Sequence, residues 1–290
     1  MSVRGGLVQV NGRQVAYDEY GDPAGRPVIF CHGWPSSRSM ARITADAALA
    51  LRLRIISPDR PGISGSALQE DRTLLDWPAV VQALADELGL ENFYMLGVSG
   101  GAPYAYVAAW AMPDRVSAVA VASGAPPIAE LPDHRGLLQL YRWMLALHAR
   151  QPQVVRGLFQ LARPFASMRP PMRLRPLLLR LLQPCDAEVL RDTVAFEACF
   201  ESSRQAWRTS AAGVMADAEI YALPWGFPLA EVRTPVHLWH GIKDRTFASH
   251  LAEELAARLP NCRLRLVEGA GHYSLPIRHM REILRDLAGA

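Results

Sequence analysis

Short apolar strands alternate with amphipathic helices over residues 1–125, and this alternation restricts the fold more than any other feature of the sequence. Apolar residues at helical spacing mark the stretch 73–88, whereas continuous or alternating apolar runs mark the strands. Asn11-Gly12 separates the first two strands and is typical of a two-residue hairpin turn. The predicted strands lie at residues 7–10, 14–20, 27–31, 53–57, 93–98 and 116–123. Strands that alternate with helices in this way predict a mostly parallel sheet covered on both faces.

The alternation stops at Pro126-Pro127 and resumes only near residue 235. Between these points the sequence predicts helices rich in Leu and Arg, interrupted by several prolines. Two further strands, at 235–240 and 263–267, are each followed by a predicted helix. We therefore expect an α/β core built from residues 1–125 and 231–290, split by a helical insertion at 126–230.

The composition excludes several classes of protein. Half of the 290 residues are hydrophobic and 20% are charged, which predicts a sizeable core and excludes a disordered chain. Lys and Arg number 31 against 28 Asp and Glu, so no strong positive field predicts a nucleic-acid partner. The four cysteines lack the C-x-x-C spacing of metal or redox sites and favour a reducing compartment. Since the sequence also shows neither a secretory signal pattern nor an apolar run of roughly 20 residues, we expect a cytoplasmic protein without metal or cofactor.

The sequence Gly97-Val98-Ser99-Gly100-Gly101 is a G-x-S-x-G motif placed between an apolar strand and a helix. A serine on such a sharp turn exposes its Oγ, and the flanking glycines allow the backbone segments to approach closely. The N-terminus of the following helix adds positive partial charge where an anion would form. We therefore identify Ser99 as the candidate nucleophile, the alternative being an ordinary glycine-rich turn.

A nucleophilic serine on such a turn requires a base and an acid, which are expected later in the chain, each on a loop after a strand. His272 follows the strand at 263–267 in the sequence G-A-G-H and is the candidate base. Asp244 follows the strand at 235–240 and precedes His272 by 28 residues, which leaves room for one helix and one strand. Its predicted role is to fix the imidazole tautomer and stabilise the imidazolium. The alternatives are one of seven other histidines as base and a helix-capping role for Asp244.

An oxyanion formed at this serine needs two backbone N–H donors. Gly100, the residue after the nucleophile, supplies one, and the loop after the strand at 27–31 should supply the other. Trp34 lies in that loop in the sequence H-G-W-P, so we predict its N–H as the second donor. We also predict that Trp34, Tyr141 and Trp225 line an apolar substrate pocket.

Together these motifs resemble the α/β-hydrolase superfamily. They are H-G-W-P at 32–35, D-R-P-G at 59–62, G-V-S-G-G at 97–101, G-I-K-D at 241–244 and G-A-G-H at 269–272. The resemblance implies an eight-stranded, mostly parallel α/β-hydrolase sheet with the helical insertion as a lid over the pocket. It implies the triad Ser99, Asp244 and His272, but it does not select one reaction.

The nucleophile separates this chain from two branches that its other motifs resemble. H-G-W-P and D-R-P-G are similar to motifs of epoxide hydrolases and haloalkane dehalogenases, which use an aspartate where this chain has Ser99. Cofactor-free haloperoxidase-like esterases carry H-G-W-P with a serine nucleophile, usually followed by Met rather than by Gly100. We therefore expect a hydrolase that cleaves a carboxylic ester of a small or medium apolar acyl or aromatic substrate through an acyl-enzyme. The alternatives are a thioester, lactone or carbon–carbon bond hydrolase and a non-catalytic ligand receptor on the same fold.

Residues 134–185 contain nine arginines and no Asp or Glu. One interpretation is contact with an anionic carrier, a CoA-like substrate or an acidic membrane surface. The interpretation that we favour is a solvated helix face whose arginines pair with acids of the core. In the core itself, Asp59 and Arg60 are interpreted as a salt bridge that braces a loop, with a substrate contact of Arg60 as the alternative. The sequence predicts no oligomeric state.

Overall fold

The computed structural model describes residues 4–169 and 171–289 and contains one eight-stranded sheet. Its strands are β1 (Arg4–Val10), β2 (Arg13–Gly21), β3 (Arg26–Cys31), β4 (Leu53–Pro58), β5 (Phe93–Val98), β6 (Val116–Ala122), β7 (Val236–Gly241) and β8 (Cys262–Val267). They lie in the order β1-β2-β4-β3-β5-β6-β7-β8. β2 pairs antiparallel with both β1 and β4, and the strands from β3 to β8 run parallel to one another. The predicted eight-stranded, mostly parallel sheet is therefore confirmed.

Local sequence explains both the edge and the centre of this sheet. Asn11 and Gly12 have φ values of 49° and 76°, so the turn between β1 and β2 has the two positive φ angles that favour this residue pair. The central strands β3, β5 and β6 are almost wholly buried, because helices cover both of their faces. Their apolar residues are therefore continuous rather than alternating.

The helices of the core form one layer on each face of the sheet. They are α1 (Ala45–Ala50), α2 (Trp77–Glu87) and α3 (Ala102–Ala111), and, beyond the insertion, α10 (Ser249–Arg258) and α11 (Ser274–Ala288). α2, α3 and α10 pack on one face and α1 and α11 on the other, which gives two apolar cores. Short 3₁₀ helices precede the first three, at Arg38–Thr44, Leu74–Asp76 and Ser99–Gly101.

The chain between β6 and β7 forms the helical insertion. It contains α4 (Gln139–Arg150), α5 (Pro152–Ala166), α6 (Arg175–Leu179), α7 (Pro184–Val189), α8 (Thr193–Thr209) and α9 (Ala211–Tyr221), with 3₁₀ helices at Ile128–Glu130, Met172–Leu174 and Leu229–Glu231. Within its described residues a single bridge, between Leu137 and Phe247, is the only β pairing. No helix in the described ranges has both the length and the apolar character needed to cross a bilayer.

Two helices of the insertion hold it against the loop that follows β3. Ser36 Oγ donates to Ser202 Oγ of α8 over 3.0 Å, and the indole Nε1–H of Trp34 donates to the carbonyl of Val214 in α9 over 2.9 Å. Gly213 of α9 lies so close to Gly62 that a Cβ atom at position 213 would collide with the Gly62 carbonyl. The insertion is thus fixed directly over the carboxyl end of the parallel strands.

Candidate active site

Ser99 lies on the turn between β5 and α3, where the motif predicts it. Its φ of 53° is a left-handed value that costs a non-glycine residue energy and is typical of a nucleophile elbow. The neighbouring glycines make this turn possible. A Cβ atom at Gly97 would lie 2.9 Å from the Gly101 carbonyl oxygen, and one at Gly101 would collide with the Cys31 carbonyl.

The structure brings His272 and Asp244 to this serine. His272 Nε2 lies 2.9 Å from Ser99 Oγ, and His272 Nδ1 lies 2.7 Å from Asp244 Oδ2. Because a carboxylate can only accept, Nδ1 carries the proton of the neutral imidazole and Nε2 accepts from the serine hydroxyl. This hydrogen-bonded chain has the order and the orientation that proton transfer from Ser99 to His272 requires.

Burial and neighbouring charges act in opposite directions on the pKa values of His272 and Asp244. Burial acts to lower the pKa of His272, but the charge and hydrogen bond of Asp244, with a smaller contribution from Asp186, raise it above its ordinary value. Burial acts to raise the pKa of Asp244, but the charge and hydrogen bond of His272 hold it below its ordinary value. Asp244 therefore remains ionised and stabilises the imidazolium that forms when His272 accepts a proton.

The loop after β7 fixes the orientation of Asp244. Its Oδ1 accepts from the backbone N–H groups of Thr246 and Phe247 at 2.7 and 3.0 Å, which leaves Oδ2 for the histidine. His240 lies beneath this loop, with Nε2 2.8 Å from the Phe247 carbonyl and 3.7 Å from Asp244 Oδ2. Burial lowers the pKa of His240, so it supports the loop as a neutral side chain.

Trp34 and Gly100, the predicted oxyanion donors, lie on adjacent segments of chain beside Ser99. A Cβ atom at Gly100 would lie only 2.9 Å from Trp34 Cβ. The backbone N–H of Trp34 donates to no acceptor among the residues that the structure describes, so it is free to bind an oxyanion. The hydroxyl of Tyr221 in α9 donates to the Gly100 carbonyl over 2.7 Å and so holds the segment that carries Gly100 in place.

The charged pair expected at residues 59 and 60 is replaced by two separate interactions. Asp59 binds Arg38, whereas Arg60 Nε donates to Asp217 Oδ2 of α9 over 2.8 Å. Asp217 also binds Arg72, and all three side chains of this second cluster are at most 2% exposed. The interpretation of Asp59 and Arg60 as one salt bridge was therefore wrong, because the counter-charge of Arg60 comes from the insertion.

Arg60 nevertheless braces a loop, and that loop carries the predicted oxyanion donor. Its Nη1 and Nη2 groups donate to the carbonyls of His32 and Gly33 at 2.6 and 2.7 Å. These two carbonyls immediately precede Trp34 in the chain. The buried cluster of Arg60 and Asp217 therefore sets the backbone from which the Trp34 N–H projects.

Two cavities meet at Ser99. One, the Gly100 cavity, has about 630 Å³ including its open mouth, and apolar side chains dominate its wall, among them Ile128, Met144, Leu145, Val155, Met215 and Phe247. The other, the His272 cavity, has about 760 Å³ on the same measure and is lined by residues that include Met40, Cys199, Phe200, Ser203, Tyr273 and Ile277. Trp34 and Tyr141 line both cavities, in keeping with their predicted place in the pocket.

Trp225 lines neither cavity, and its predicted place in the pocket was wrong. It is 2% exposed, and its ring lies 6.0 Å from the rings of both Tyr106 and Phe227, measured between centroids. It therefore belongs to the apolar core around α3. Core and pocket tryptophans have the same local sequence character, so the residue type alone could not separate them.

The arginines of residues 134–185 mostly bind partners within the insertion. Arg156 binds Glu219 at 2.7 Å and Arg169 binds Glu197 at 2.6 Å. Arg163 donates to the last carbonyls of α8, and Arg175 donates to the carbonyls of residues 190–192. The favoured interpretation needs one correction, since these partners are acids and carbonyls of the insertion rather than acids of the core.

Cys199 is a second nucleophilic side chain in the His272 cavity. Burial raises the pKa of its thiol to about 12, so it remains protonated and weakly reactive at neutral pH. Ser99 is the side chain whose activating base is in place.

Two acidic residues that support loops of the candidate site, one directly and one through Arg60, were missed by sequence analysis. Asp186 of α7 binds the backbone around His272, and it is the first acid after the acid-free run 134–185, which was the available signal. Asp217 offered no such signal, because Arg60 and Arg72 lie 157 and 145 residues before it.

Comparisons with known proteins agree with this fold. A family model described as the α/β hydrolase fold matches residues 26–277, so the chain belongs to the α/β-hydrolase family. An epoxide hydrolase of Caballeronia sordidicola is 32% identical over 39% of this chain and 34% of its own length. A non-heme chloroperoxidase of Streptomyces lividans is 32% identical over 43% of this chain and 46% of its own length. The chain thus matches less than half of the length of these curated relatives.

A solved structure extends the similarity of fold over the whole chain. The thermophilic esterase of Thermogutta terrifontis superposes with a TM-score of 0.68 at 18% identity, covering 99% of this chain and 98% of its own. At this identity the likeness shows the fold alone. The family model and this superposition together show that the chain belongs to the α/β-hydrolase family and has that fold over nearly its whole length.

Proposed function

We propose that this protein is a serine hydrolase that cleaves carboxylic esters with an apolar acyl group through an acyl-enzyme on Ser99. The observation that carries the proposal is the continuous hydrogen-bonded chain from Ser99 Oγ through His272 to Asp244, at 2.9 and 2.7 Å. The free N–H of Trp34 beside Gly100 supplies the second requirement, which is stabilisation of an oxyanion.

The reaction follows from this geometry. His272 Nε2 takes the proton of Ser99 as the oxygen attacks the ester carbonyl, and Asp244 stabilises the imidazolium. The backbone N–H groups of Gly100 and Trp34 bind the carbonyl oxygen as it becomes an anion. His272 then gives its proton to the departing alcohol, and a water molecule activated by the same imidazole hydrolyses the acyl-enzyme.

The serine argues against the reaction that its epoxide hydrolase relative is named for. Attack of a serine oxygen on an epoxide carbon would form an ether, which has no carbonyl carbon for water to attack. Attack on an ester carbonyl instead forms an acyl ester of Ser99, which the same triad can hydrolyse. Acyl transfer is therefore the chemistry that this nucleophile can complete.

The two cavities suggest how an ester would lie across the site. His272 must reach the leaving oxygen, so the alcohol part should occupy the His272 cavity. The carbonyl oxygen must reach the N–H of Gly100, which places the acyl part in the Gly100 cavity. Because the wall of that cavity is mostly apolar, we propose an aliphatic or aromatic acyl group.

Covalent labelling combined with turnover tests this function. A fluorophosphonate should label the wild type at Ser99, and p-nitrophenyl esters should be hydrolysed. Ser99→Ala should lose labelling and about 10⁴-fold or more in kcat while keeping the melting temperature of the wild type. Ser249→Ala, at the start of α10, is the matched control and should behave as the wild type.

Comparison of leaving groups then separates the neighbouring reactions. The same acyl group presented as an ester, a thioester and a lactone gives three values of kcat/KM, and the proposal requires the open ester to have the largest. If the protein is neither labelled nor active on any of the three, the ester hydrolase proposal fails and a ligand receptor becomes the better description.

A further inference from the structure

One buried carboxylate of the insertion holds the turn of chain that carries His272. Asp186 Oδ1 accepts from the backbone N–H of Tyr273 at 3.0 Å, and from both the N–H and the hydroxyl of Ser274 at 2.8 Å each. Asp186 Oδ2 accepts from the backbone N–H of His272 at 3.1 Å. Asp186 is only 3% exposed. Because the first N–H groups of a helix have no partner within it, Asp186 acts as the cap of α11 from outside the helix.

The same carboxylate constrains the residue before His272. Ser274 Oγ accepts from the N–H of Gly271 at 2.7 Å while it donates to Asp186. A Cβ atom at Gly271 would lie 2.6 Å from Asp186 Oδ2, so the close approach of the carboxylate requires a glycine there. Both chain neighbours of His272 are therefore held by Asp186, directly or through Ser274.

Asp186 touches the backbone of the base, whereas the imidazole ring itself contacts Ser99 and Asp244. We propose that Asp186 is a positioning residue for the general base, which fixes the turn around His272 so that Nε2 faces Ser99. The proposal rests on the proposed function, in which His272 takes the serine proton. α7, a helix of the insertion that lines neither cavity, would then position the base through Asp186.

The charge of Asp186 supplies a second, separable effect. It contributes to the raised pKa of His272, after the larger contribution of Asp244. Apart from Asp244 and Asp186, the titratable groups around the imidazole are uncharged at neutral pH. Burial lowers the pKa of His240 and raises the pKa of Tyr141, Cys199 and Tyr273. Removal of the Asp186 charge should therefore lower the pKa of His272.

Three variants separate geometry from charge. Asp186→Ala removes all four hydrogen bonds, and kcat should fall on the order of 10²-fold, the effect of a misplaced catalytic group. Asp186→Asn keeps an oxygen for the three Oδ1 bonds but loses the charge, so the acid limb of kcat/KM should move to lower pH. Gly271→Ala pushes the carboxylate away and keeps its charge, so kcat should fall while the acid limb moves less than in Asp186→Asn.

Glu188→Gln is the matched control. Glu188 lies two residues further along α7 and its Oε2 is 2.9 Å from Arg278 Nη2 of α11, but its side chain is 66% exposed. The substitution removes the same charge and one contact between the same two helices. It should leave kcat and the pH profile unchanged, since among the described residues neither the Glu188 nor the Arg278 side chain hydrogen-bonds to the turn around His272.

Titration of the His272 ring by ¹⁵N NMR, without substrate, makes the test independent of turnover. We expect a lower pKa in Asp186→Asn than in the wild type and no change in Glu188→Gln. A wild type that hydrolyses no ester overturns the proposed function, and the NMR comparison still decides whether Asp186 acts on His272. The positioning role is wrong if the variants of Asp186 change only the melting temperature, or raise KM at unchanged kcat.

Discussion

The strongest stability prediction concerns Asp217, because its carboxylate lies between two buried guanidinium groups. It accepts from Arg60 Nε at 2.8 Å and from Tyr104 Oη at 2.9 Å, and it also binds Arg72. Asp217→Asn keeps the size of the side chain but removes the only carboxylate that these arginines contact among the described residues. Two buried positive charges then lose their counter-charge.

The expected magnitude follows from burial. Breaking a buried ion pair from one side costs about 3–5 kcal/mol, because the remaining charge is left uncompensated. For a chain of this size that lowers the melting temperature on the order of 10 °C. Glu219→Gln, two residues away on α9, removes the same charge from an ion pair with Arg156, whose side chain is 52% exposed. An exposed pair contributes about 0–1 kcal/mol, so this control should melt within about 3 °C of the wild type.

Urea unfolding of both variants at several pH values is the assay. Burial acts to raise the pKa of Asp217, but the charges of Arg60 and Arg72 hold it below the ordinary value of 3.8. A carboxyl with a depressed folded-state pKa stabilises the protein above its unfolded-state pKa and loses this contribution as the pH falls through the folded value. The free energy of unfolding of the wild type should therefore exceed that of Asp217→Asn most above about pH 5. This difference should become smaller as the pH falls into the acid range.

Activity provides a second readout of the same substitution. Arg60 holds the two carbonyls that precede Trp34, so loss of the Asp217 charge should displace the loop that carries the Trp34 N–H. We expect kcat to fall about 10-fold or more. Equal unfolding free energies for the Asp217 and Glu219 variants, or a difference that grows in acid, would refute the reasoning.

Three further predictions follow from the site. Asp244→Asn should lower kcat about 10⁴-fold and, in the remaining activity, move the acid limb of kcat/KM to lower pH, since the charge that raises the pKa of His272 is lost. Ala218→Phe should shorten the preferred acyl chain, because the larger side chain fills the Gly100 cavity. Ser203→Phe in the His272 cavity should instead change the preference for the alcohol part. Values of kcat/KM over one series of acyl groups and one series of alcohols measure the two effects. Most arginines of residues 134–185 bind groups of the insertion, so added salt should change kcat/KM equally for neutral and anionic esters. A steeper fall of kcat/KM for the anionic ester would instead favour an electrostatic substrate site.

Much of the sheet could be predicted because its signals are local. The strand at 93–98 was predicted with the bounds that the structure shows, and the others within a few residues. Continuous apolar runs fix a buried parallel strand, and Asn11-Gly12 fixes the hairpin through positive φ values. The packing of the insertion could not be predicted in the same way, because proline and helical spacing give the helices but not which of their faces meet.

The candidate triad was equally accessible, since each of its members follows a strand and carries its own short motif. Trp225 and the Asp59–Arg60 pair were wrong for one common reason. Adjacent residues were assumed to pair with each other and tryptophans to share the pocket, whereas each side chain in the structure has a distant partner of its own. Asp59 turns to Arg38, Arg60 turns to Asp217, and Trp225 enters the core.

The contacts of the charged residues show that the acids of the insertion matter more to the candidate site than its arginines do. Residues 134–185 stand out by their nine arginines, but the charged groups of the insertion that support the site are two buried acids that follow this run, Asp186 and Asp217. Asp217 supports the loop that carries Trp34 through Arg60, and Asp186 binds the turn that carries His272. One carboxylate thus fixes the donor side of the site and the other fixes the base side. Since both come from the insertion, the core alone would hold Ser99 on its turn but would lack the supports that align the groups around it.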